Sequence, residues 1–325
     1  MEPSGEMGGG GASRGIHKPE SVGKILVIRG GAIGDFILTL PSVALLREGF
    51  PDWEIEIMGY SRTIPLGLGR SLADRGRCIE YGLLAACFNP AAEMGRDLVE
   101  YFCSFDQIVS YLYDPDELFR MSLRKVGVKS LIQAVCKVED KGNHAVEQLA
   151  EPLRVLGLRL TDAVPRLCFS EEERVFGSEL NGRVVIHPGS GSPRKNWPLE
   201  NWVVIIRELA RLGVDVVVVG GEADEEVIQR LREGFGAREG IQWLLNLPLR
   251  DLAMRLAGCR LFVGHDSGIS HLAAASGCAV LAIFGPTDPG IWRPLGRRVR
   301  VVGGLMEDWS GLSVDVVLRA LEEML

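Results

Sequence analysis

The stretch IRGGAIGDFILTLP, residues 28–41, joins the end of an apolar segment to a glycine turn and then to a helical pattern. The apolar segment KILVIR, residues 24–29, has the length and composition of a buried strand. Pro41 lies inside the helical part and has no N–H to donate, so we expect a kink or a restart there. Six apolar residues recur on one face of the helix: Ile33, Phe36, Ile37, Leu40, Val43 and Ala44. Strand, turn and helix in this order form the first half of a βαβ unit.

The turn itself reads R-x-G-x-x-G over residues 29–34, a dinucleotide-binding pattern with arginine in place of its first glycine. The next apolar strand ends in GY, residues 59–60, and not in an acid that binds a ribose hydroxyl. Both departures argue against a nicotinamide-dependent dehydrogenase, and a Walker loop is excluded because no Gly-Lys-Ser/Thr follows. Asp35 comes directly after the last glycine. A carboxylate there is either a helix cap favoured by the dipole or a general base, and this stretch alone leaves both open.

Apolar runs of strand length alternate with helical patterns over residues 24–160 and again from residue 183 to the end. This alternation predicts an α/β protein with two doubly wound, Rossmann-like domains that face each other across a cleft. We place the domains at 24–170 and 171–325, after a glycine-rich tail at 1–23 that we expect to be disordered. The other predicted strands are 54–59, 106–112, 129–135, 183–189, 214–221, 261–266 and 279–285. The other predicted helices are 143–158, 222–233, 247–259, 267–276, one opened by Pro198 and one capped by Ser313.

Composition narrows the class of protein. Of 325 residues, 46% are hydrophobic and 24% are charged, which is ordinary for a globular protein with a substantial core. The formal net charge of −7 argues against general nucleic-acid binding. The seven cysteines are scattered without a C-x-x-C pair, which favours a reduced, cytoplasmic environment and gives no support to a structural zinc site. No apolar run approaches the ~20 residues that span a bilayer.

A second stretch, VVIHPGSGSPRKNWPLENW at residues 184–202, leads from a buried strand into a loop of glycines and serines. Backbone N–H groups freed by glycine, the hydroxyls of Ser190 and Ser192, and the ammonium of Lys195 are suited to a diphosphate. A solvated loop whose lysine has no ligand explains the same residues, so this stretch alone is only moderately specific.

A third stretch, VGHDSGISHLAAASG at residues 263–277, runs from a strand end into a helix. Asp266 and Ser267 are predicted to cap this helix, and His271 follows Ser267 by one turn on the same side. The helix start offers N–H groups to a phosphate, whereas Asp266 suits a sugar hydroxyl. In isolation, a capping aspartate and a structural histidine are the favoured explanation of these residues. The segment IFGPTDPGIWRPLG, residues 283–296, follows the next strand and is expected to rim the same pocket.

Together the three stretches resemble the heptosyltransferases of glycosyltransferase family 9. GAIGDFILTLP matches the Gly-Asp turn and T-x-P of that family, and SGSPRKNWP matches its S-x-x-x-K-x-W-P-like loop. DSGISHLAAA, followed by FGPTDP, matches the most diagnostic block, D-[ST]-G-x-x-H-x-x-A-A. The resemblance spans residues 24 to about 290 in order, and it is weak from 60 to 140.

The resemblance implies a GT-B fold and an inverting transfer of heptose from ADP-heptose to the inner core of lipopolysaccharide, without a metal or a cofactor. It implies that Asp35 is the general base and that Gly31 and Gly34 give the acceptor room to approach. The donor diphosphate is then expected at Ser190, Gly191, Lys195, Ser267 and Gly268, and the donor sugar and nucleotide at Asp266, His271, Glu225 and Leu247. The implied acceptor is an anionic glycolipid, reached by peripheral contact with the cytoplasmic face of the inner membrane.

Three alternatives stay open at the level of sequence. A member of the same family can use a different nucleotide-sugar donor. A GT-B-like sugar-nucleotide epimerase shares the two-domain fold and turns over its substrate without an acceptor. A nicotinamide-dependent oxidoreductase shares the paired βαβ halves but lacks support from the first turn.

Overall fold

The computed structural model of the chain describes residues 22–79, 84–89, 91–235 and 241–325. The predicted disordered tail at 1–23 therefore lies almost entirely outside the described residues. Two parallel sheets, one of five strands and one of six, account for the strands of the described part. Nothing in this arrangement fixes the domain boundary at residue 170, which stays a prediction.

The first sheet has β1 in its centre. Its strand order is β3-β2-β1-β4-β5, and each neighbouring pair is parallel. Because the order reverses between β1 and β4, a crevice is expected beyond the carboxyl end of β1. The strands are β1 (Lys24–Arg29), β2 (Glu54–Gly59), β3 (Arg75–Cys78), β4 (Gln107–Ser110) and β5 (Leu131–Gln133). The helices of this half are α1 (Ile33–Gly49), α2 (Arg96–Cys103), α3 (Leu118–Lys125) and α4 (Ala145–Ala150).

The second sheet repeats the scheme with the order β11-β10-β9-β6-β7-β8 and its switch point between β6 and β9. The strands are β6 (Val184–His187), β7 (Val216–Gly220), β8 (Gln242–Leu245), β9 (Leu261–His265), β10 (Val280–Phe284) and β11 (Val299–Gly303). The helices are α5 (Glu171–Gly177), α6 (Leu199–Arg211), α7 (Glu225–Gly234), α8 (Leu249–Gly258), α9 (Gly268–Ala275), α10 (Pro289–Trp292) and α11 (Val314–Glu322).

The core joins the two halves. The central strands are buried on both faces, as parallel strands covered by helices must be. One apolar cluster contains side chains from both halves, among them Ile37 and Leu40 of α1 and Leu272 and Ala273 of α9. Each such side chain, when fully buried, contributes about 1.5–3 kcal/mol relative to its exposed state. The start of α1 is therefore held against the start of α9.

Polar contacts join the halves at two further places. Arg250 of α8 pairs with Glu173 of α5 at 2.8 Å and donates to the backbone carbonyl of Pro65 at 3.3 Å. At the other place, the indole of Trp292 donates to Asp140 at 3.0 Å. His144 Nε2 lies 2.9 Å from the carbonyl oxygen of Arg293, and burial lowers the pKa of this imidazole. A neutral ring that donates from Nε2 satisfies this contact.

The predicted restart at Pro41 is wrong, because α1 continues as one helix from Ile33 to Gly49 with Pro41 inside it. Pro41 leaves the carbonyl of Ile37 without its usual helical donor. Residues from Phe36 to Val43 are all buried, so packing against the sheet and against α9 holds the helix through this gap. Tertiary burial here outweighs the local cost of proline.

Two other predicted helices change type along their length. The segment 143–158 is an α-helix only over Ala145–Ala150 and then a 3₁₀ helix over Glu151–Leu156. Pro152 lies in the first turn of the 3₁₀ part, where its missing N–H interrupts the α-helical ladder. The segment 222–233 likewise opens as a 3₁₀ turn over Glu222–Asp224 before α7 begins.

Candidate active site

The turn after β1 places Asp35 as the third residue of α1. Its carboxylate Oδ2 accepts a hydrogen bond from the backbone N–H of Ala32 at 3.0 Å. Gly31 has a φ of +96°, and a Cβ on it would lie 2.9 Å from that same oxygen. The side chain of Asp35 is nevertheless 36% exposed. Asp35 therefore caps the helix with one oxygen and still presents a carboxylate to the space beside it, so both interpretations of the sequence fit.

Beneath Asp35 lies the side chain of Arg29, the last residue of β1, which is 3% exposed. Its Nη2 is 3.5 Å from Oδ1 of Asp35, and its Nε and Nη1 donate to the carbonyls of Asp35 and Cys136, both at 3.4 Å. Burial lowers the pKa of Arg29, and the nearby carboxylate of Asp35 opposes that shift. The arginine that interrupts the glycine pattern is thus a buried cation in contact with the candidate base.

A cavity of about 570 Å³ opens at the carboxyl end of β1, and Arg29, Gly31 and Asp35 form part of its wall. We call it the β1 cavity. The remainder of the wall includes Lys137 and four aromatic side chains: Tyr60, Phe88, Tyr111 and Tyr113. A ring-lined cavity with cations suits a ligand that has both apolar faces and negative charge. Part of this wall comes from the stretch between residues 60 and 140, which was the least legible part of the sequence.

The starts of α1 and α9 touch through two glycines. A Cβ on Gly34 would lie 3.5 Å from the Cα of Gly268, and a Cβ on Gly268 would lie 2.9 Å from the nitrogen of Gly34. The carboxyl edges of the two sheets therefore face each other, as predicted. A Cβ on Gly34 would make only ordinary van der Waals contacts with α9, and the prediction that Gly34 gives an acceptor room to approach stays a prediction.

A second cavity, of about 510 Å³, has both of these glycines in its wall. We call it the β6 cavity, because residues after β6 and β7 form much of its wall. Of the predicted donor-binding residues, five line it: Ser190, Gly191, Leu247, Ser267 and Gly268. Ala32, Ile33 and Gly34 close it from the first half of the chain. The structure thus brings the second and third sequence stretches together at one cavity.

The start of α9 keeps unused polar atoms at this cavity. Ser267 occupies the N-cap position, but its side chain makes no capping bond, and its buried hydroxyl has no hydrogen-bond partner among the described residues. The prediction that the Asp266 and Ser267 side chains cap α9 is therefore wrong. Unsatisfied buried groups are uncommon in proteins and are expected where a ligand supplies the partner.

Asp266 is instead the centre of a polar cluster. Its Oδ2 accepts from the ammonium of Lys195 at 2.6 Å and from the hydroxyl of Thr287 at 2.7 Å. Asp266 is 6% exposed and Lys195 is 31% exposed at their side chains. Neither residue forms part of the wall of the β6 cavity. The two predicted ligand-binding residues hold each other in place, and the side chain of Lys195 stays partly exposed.

His271 lies under the glycine contact and does not line the β6 cavity. Its Cδ2 is 3.6 Å from the position that a Cβ on Gly34 would take. Burial lowers the pKa of His271 to about 4, so the ring is neutral at physiological pH. His271 therefore lies beside the place where α1 meets α9, and its role behind the donor pocket stays a prediction.

The acidic residues after β7 are arranged differently from the prediction. Glu225 is exposed and is not in the wall of the β6 cavity, whereas Glu222 and Asp224 are. Asp224 is buried, and its Oδ2 lies 3.0 Å from Nε2 of His187, a second residue of the cavity wall that sequence reasoning missed. The pKa of Asp224 is lowered, although burial alone would raise it, because His187 and the N–H of Gly221 stabilise the carboxylate. The HPG sequence at the end of β6, residues 187–189, was the available signal for His187.

Within the described ranges, no group of three or more His, Cys, Asp or Glu side chains is placed to hold a metal ion. Across the same ranges, no helix combines the length and the apolar character that a membrane crossing requires.

Two doubly wound sheets whose carboxyl edges meet across ligand-sized cavities define a protein of the GT-B class. The sequence model of glycosyltransferase family 9 (heptosyltransferase) matches residues 119–311, and the chain belongs to this family. The predicted family and fold class are both confirmed, and the enzyme class of this family is glycosyltransferase.

Similar proteins agree with this assignment. The chain is 29% identical to lipopolysaccharide heptosyltransferase 2 of Escherichia coli K12, over 93% of this chain and 97% of the relative. It is 34% identical to lipopolysaccharide heptosyltransferase 1 of the same strain, but this match spans only 40% of the length of each protein. Among solved structures, an E. coli heptosyltransferase with ADP superposes with a TM-score of 0.69 at 22% identity, covering 93% of this chain and all of the other.

Proposed function

We propose that this protein transfers a heptose from ADP-heptose to an inner-core acceptor of lipopolysaccharide, with inversion at the anomeric carbon and without a metal. The observation that carries the proposal is the position of Asp35. Its exposed carboxylate forms part of the wall of the β1 cavity, while residues 32–34 of the same turn line the β6 cavity. An acceptor in the first cavity and a donor in the second would meet at this turn.

In the proposed step, Asp35 removes the proton from an acceptor hydroxyl. The hydroxyl oxygen forms a bond to the anomeric carbon, and the bond from that carbon to the diphosphate breaks with its electron pair leaving on the diphosphate. Because the base and the leaving group lie on opposite sides of the sugar, the configuration inverts. A general base must lie within hydrogen-bonding reach of the proton that it takes, which the exposed side of Asp35 allows.

The diphosphate needs stabilisation as its negative charge grows. We assign this role to the hydroxyls of Ser190 and Ser267, the backbone at Gly191 and the N–H groups at the start of α9 around Gly268. All four residues line the β6 cavity, and the hydroxyl of Ser267 has no hydrogen-bond partner in the described part of the chain. Preorganised donors of this kind stabilise developing charge without reorganising during the reaction. Lys195, held by Asp266, would add a positive charge next to them.

For the nucleotide and sugar of the donor, we keep Leu247 as a contact of the base and Asp266 as a contact of sugar hydroxyls. The ribose is assigned to the acidic residues after β7 that line the cavity, Glu222 and Asp224, in place of Glu225. An adenine nucleotide is proposed because the similar E. coli heptosyltransferase was solved with ADP.

The acceptor is proposed to be an anionic glycolipid in the β1 cavity. Aromatic rings pack against the apolar faces of sugars, and Lys137 offers a cation to an acidic group. Peripheral contact with the cytoplasmic face of the inner membrane belongs to the same proposal, because such a lipid is delivered from a membrane.

A donor screen tests this function. ADP-, UDP-, GDP- and dTDP-sugars are compared by thermal shift, since a ligand that binds the folded state raises its melting temperature. We expect the largest shift with ADP-heptose and a transferred product only when an inner-core acceptor is added. A larger shift with another nucleotide sugar would indicate that this other sugar nucleotide is the donor. Conversion of the sugar nucleotide without acceptor would favour the epimerase. Fluorescence enhancement of NADH would favour the oxidoreductase.

A further inference from the structure

The buried guanidinium of Arg29 has no role in the function proposed above. It lies at the carboxyl end of the central strand β1, is 3% exposed and forms part of the wall of the β1 cavity. Its Nη2 is fully buried and has no hydrogen-bond partner among the described residues. Packing at the end of a buried strand does not require an arginine. Burial of its charge costs free energy, so the presence of this residue calls for an explanation.

The surroundings of Arg29 contain one carboxylate and several neutral groups. Its two hydrogen bonds go to the backbone carbonyls of Asp35 and Cys136, and its Cζ lies 5.5 Å from the ring centre of Tyr111. The carboxylate Oδ1 of Asp35, 3.5 Å from Nη2, supplies the negative charge. Without this carboxylate the buried cation would be uncompensated, which is strongly unfavourable. Asp35 is therefore the partner that balances the buried charge of Arg29.

The two oxygens of Asp35 are held differently. Oδ2 accepts the N–H of Ala32 at 3.0 Å, which fixes that side of the carboxylate to the helix start. Oδ1 faces Arg29 at 3.5 Å, longer than an ordinary charge-assisted hydrogen bond, and accepts no hydrogen bond from the described residues. Its lone pairs stay available for a proton.

We propose that Arg29 is a positioning residue that holds the carboxylate of Asp35 so that Oδ1 is the oxygen that receives the acceptor's proton. The inference rests on the proposed function, because it assigns a partner to the proposed base. Arg29 touches neither donor nor acceptor in this step; its effect reaches the reaction through the carboxylate. A carboxylate that loses this orientation is expected to lose about 10²-fold in rate.

A double-mutant cycle with Asp35→Asn tests the proposal in the full-length protein. Arg29→Met keeps an unbranched side chain that fills the same position up to about the Nε atom and removes the charge, and Arg29→Lys keeps the charge but not the planar geometry. We expect kcat to fall about 10²-fold in Arg29→Met and less in Arg29→Lys, with the ADP dissociation constant unchanged. In the Asp35→Asn background, Arg29→Met should lower the residual kcat no further, because residues that act as a unit are not additive.

The cycle separates this inference from the function on which it rests. If Asp35→Asn keeps full transfer activity, the proposed function fails. If Asp35→Asn lowers kcat as expected and Arg29→Met costs the same factor in both backgrounds, Arg29 acts only through the fold and the inference fails. Unchanged kcat in Arg29→Met also overturns it. Arg96→Met, at an arginine that is 89% exposed and far along the chain, is the matched control and should leave kcat unaltered. Should Arg29→Met fail to fold, the same cycle is run with Arg29→Lys.

Discussion

Gly34 and Gly268 bring the starts of two helices from opposite halves of the chain into direct contact. A Cβ on Gly268 would lie 2.9 Å from the backbone nitrogen of Gly34 and 2.9 Å from the Cβ of Ile33. Both distances are too short for a side chain, so the approach of the halves depends on glycine at this position. Both glycines line the β6 cavity, and Gly31 and Asp35 of the neighbouring turn line the β1 cavity, so we expect the distance between donor and acceptor to depend on this contact as well.

Gly268→Ala is expected to push the two helix starts apart and to lower kcat about 10²-fold, because a displacement of about 1 Å at reacting groups has that effect. The variant is assayed for transfer and for its melting temperature. Gly95→Ala is the matched control, since a Cβ there meets nothing within 4 Å and its φ of −59° suits alanine. Equal activity of Gly268→Ala and the wild type would show that the contact does not set the geometry of the reaction.

Asp35→Asn is expected to lower the melting temperature, because it removes the carboxylate that balances the buried Arg29. The folded variant should bind ADP with unchanged affinity, since the asparagine oxygen still accepts the N–H of Ala32. Its kcat should fall by ~10²- to 10⁴-fold, the usual effect of removing a general base. Steady-state kinetics and calorimetry with ADP measure the two quantities. Asp97→Asn, an exposed acid in the first turn of α2, is the control for a helix-start carboxylate. Full activity in Asp35→Asn would exclude it as the base.

The sequence predicted the buried strands well and the edges of the sheets poorly. Strands such as β1 and β9 are continuous apolar runs, and their predicted bounds agree with the structure to within one residue. Three strands were missed, β3, β8 and β11, and each forms the edge of a sheet. The β3 sequence RGRC is exposed along its whole length, so no apolar pattern marks it. An edge strand is defined by pairing with its neighbour, which a local pattern does not reveal.

The site was predictable as three stretches but not as a set of contacts. The cavity walls at Ser190, Gly191, Ser267 and Gly268 follow from strand ends that share one sheet edge. The pairing of Lys195 with Asp266 joins residues 71 positions apart, and it diverts Asp266 from the expected helix cap. Asp224, and not the predicted Glu225, lines the β6 cavity, because a 3₁₀ turn precedes α7 and changes the direction in which the acidic side chains point. Such changes depend on tertiary packing and on one-residue shifts of helix starts.

Lys195→Ala is expected to raise the dissociation constant of ADP about tenfold, since a hydrogen bond to a charged group contributes about 1.5 kcal/mol or more. The KM for the acceptor should not change. Asp266→Asn should weaken ADP binding in the same direction, because it removes the carboxylate that holds the ammonium at 2.6 Å. Calorimetry with ADP measures both variants, and Lys129→Ala, at an exposed pair with Asp106, is the control. Wild-type affinity in Lys195→Ala would restrict Lys195 to a structural role.

The stability of the second half is expected to fall as the pH drops below the ordinary pKa of histidine. Burial lowers the pKa of His265 to about 3 and that of His271 to about 4, so neither ring takes up a proton in the folded protein near pH 5. The unfolded chain does bind protons there, because its histidines have a pKa of about 6.5. The contribution of these two neutral rings to the free energy of unfolding is therefore fully present above pH 6.5 and is lost progressively as the pH falls below it. At pH 5 the loss is about 2 kcal/mol for each ring.

His265→Gln separates this effect from other causes of acid sensitivity. In the wild type, Nε2 of His265 accepts the backbone N–H of Trp197 at 2.8 Å and Nδ1 lies 3.2 Å from the carbonyl of Gly189, so a glutamine amide offers the same kinds of group without titrating. Urea unfolding is followed at pH 7 and pH 5 by tryptophan fluorescence, since the ring of Trp202 lies 5.1 Å from that of His265. The variant should lose about 2 kcal/mol less than the wild type between the two pH values. The lowered pKa of Asp224 acts only below pH 3.8 and does not enter this window. An equal loss in both proteins would mean that the buried imidazole of His265 is not the source of the pH dependence.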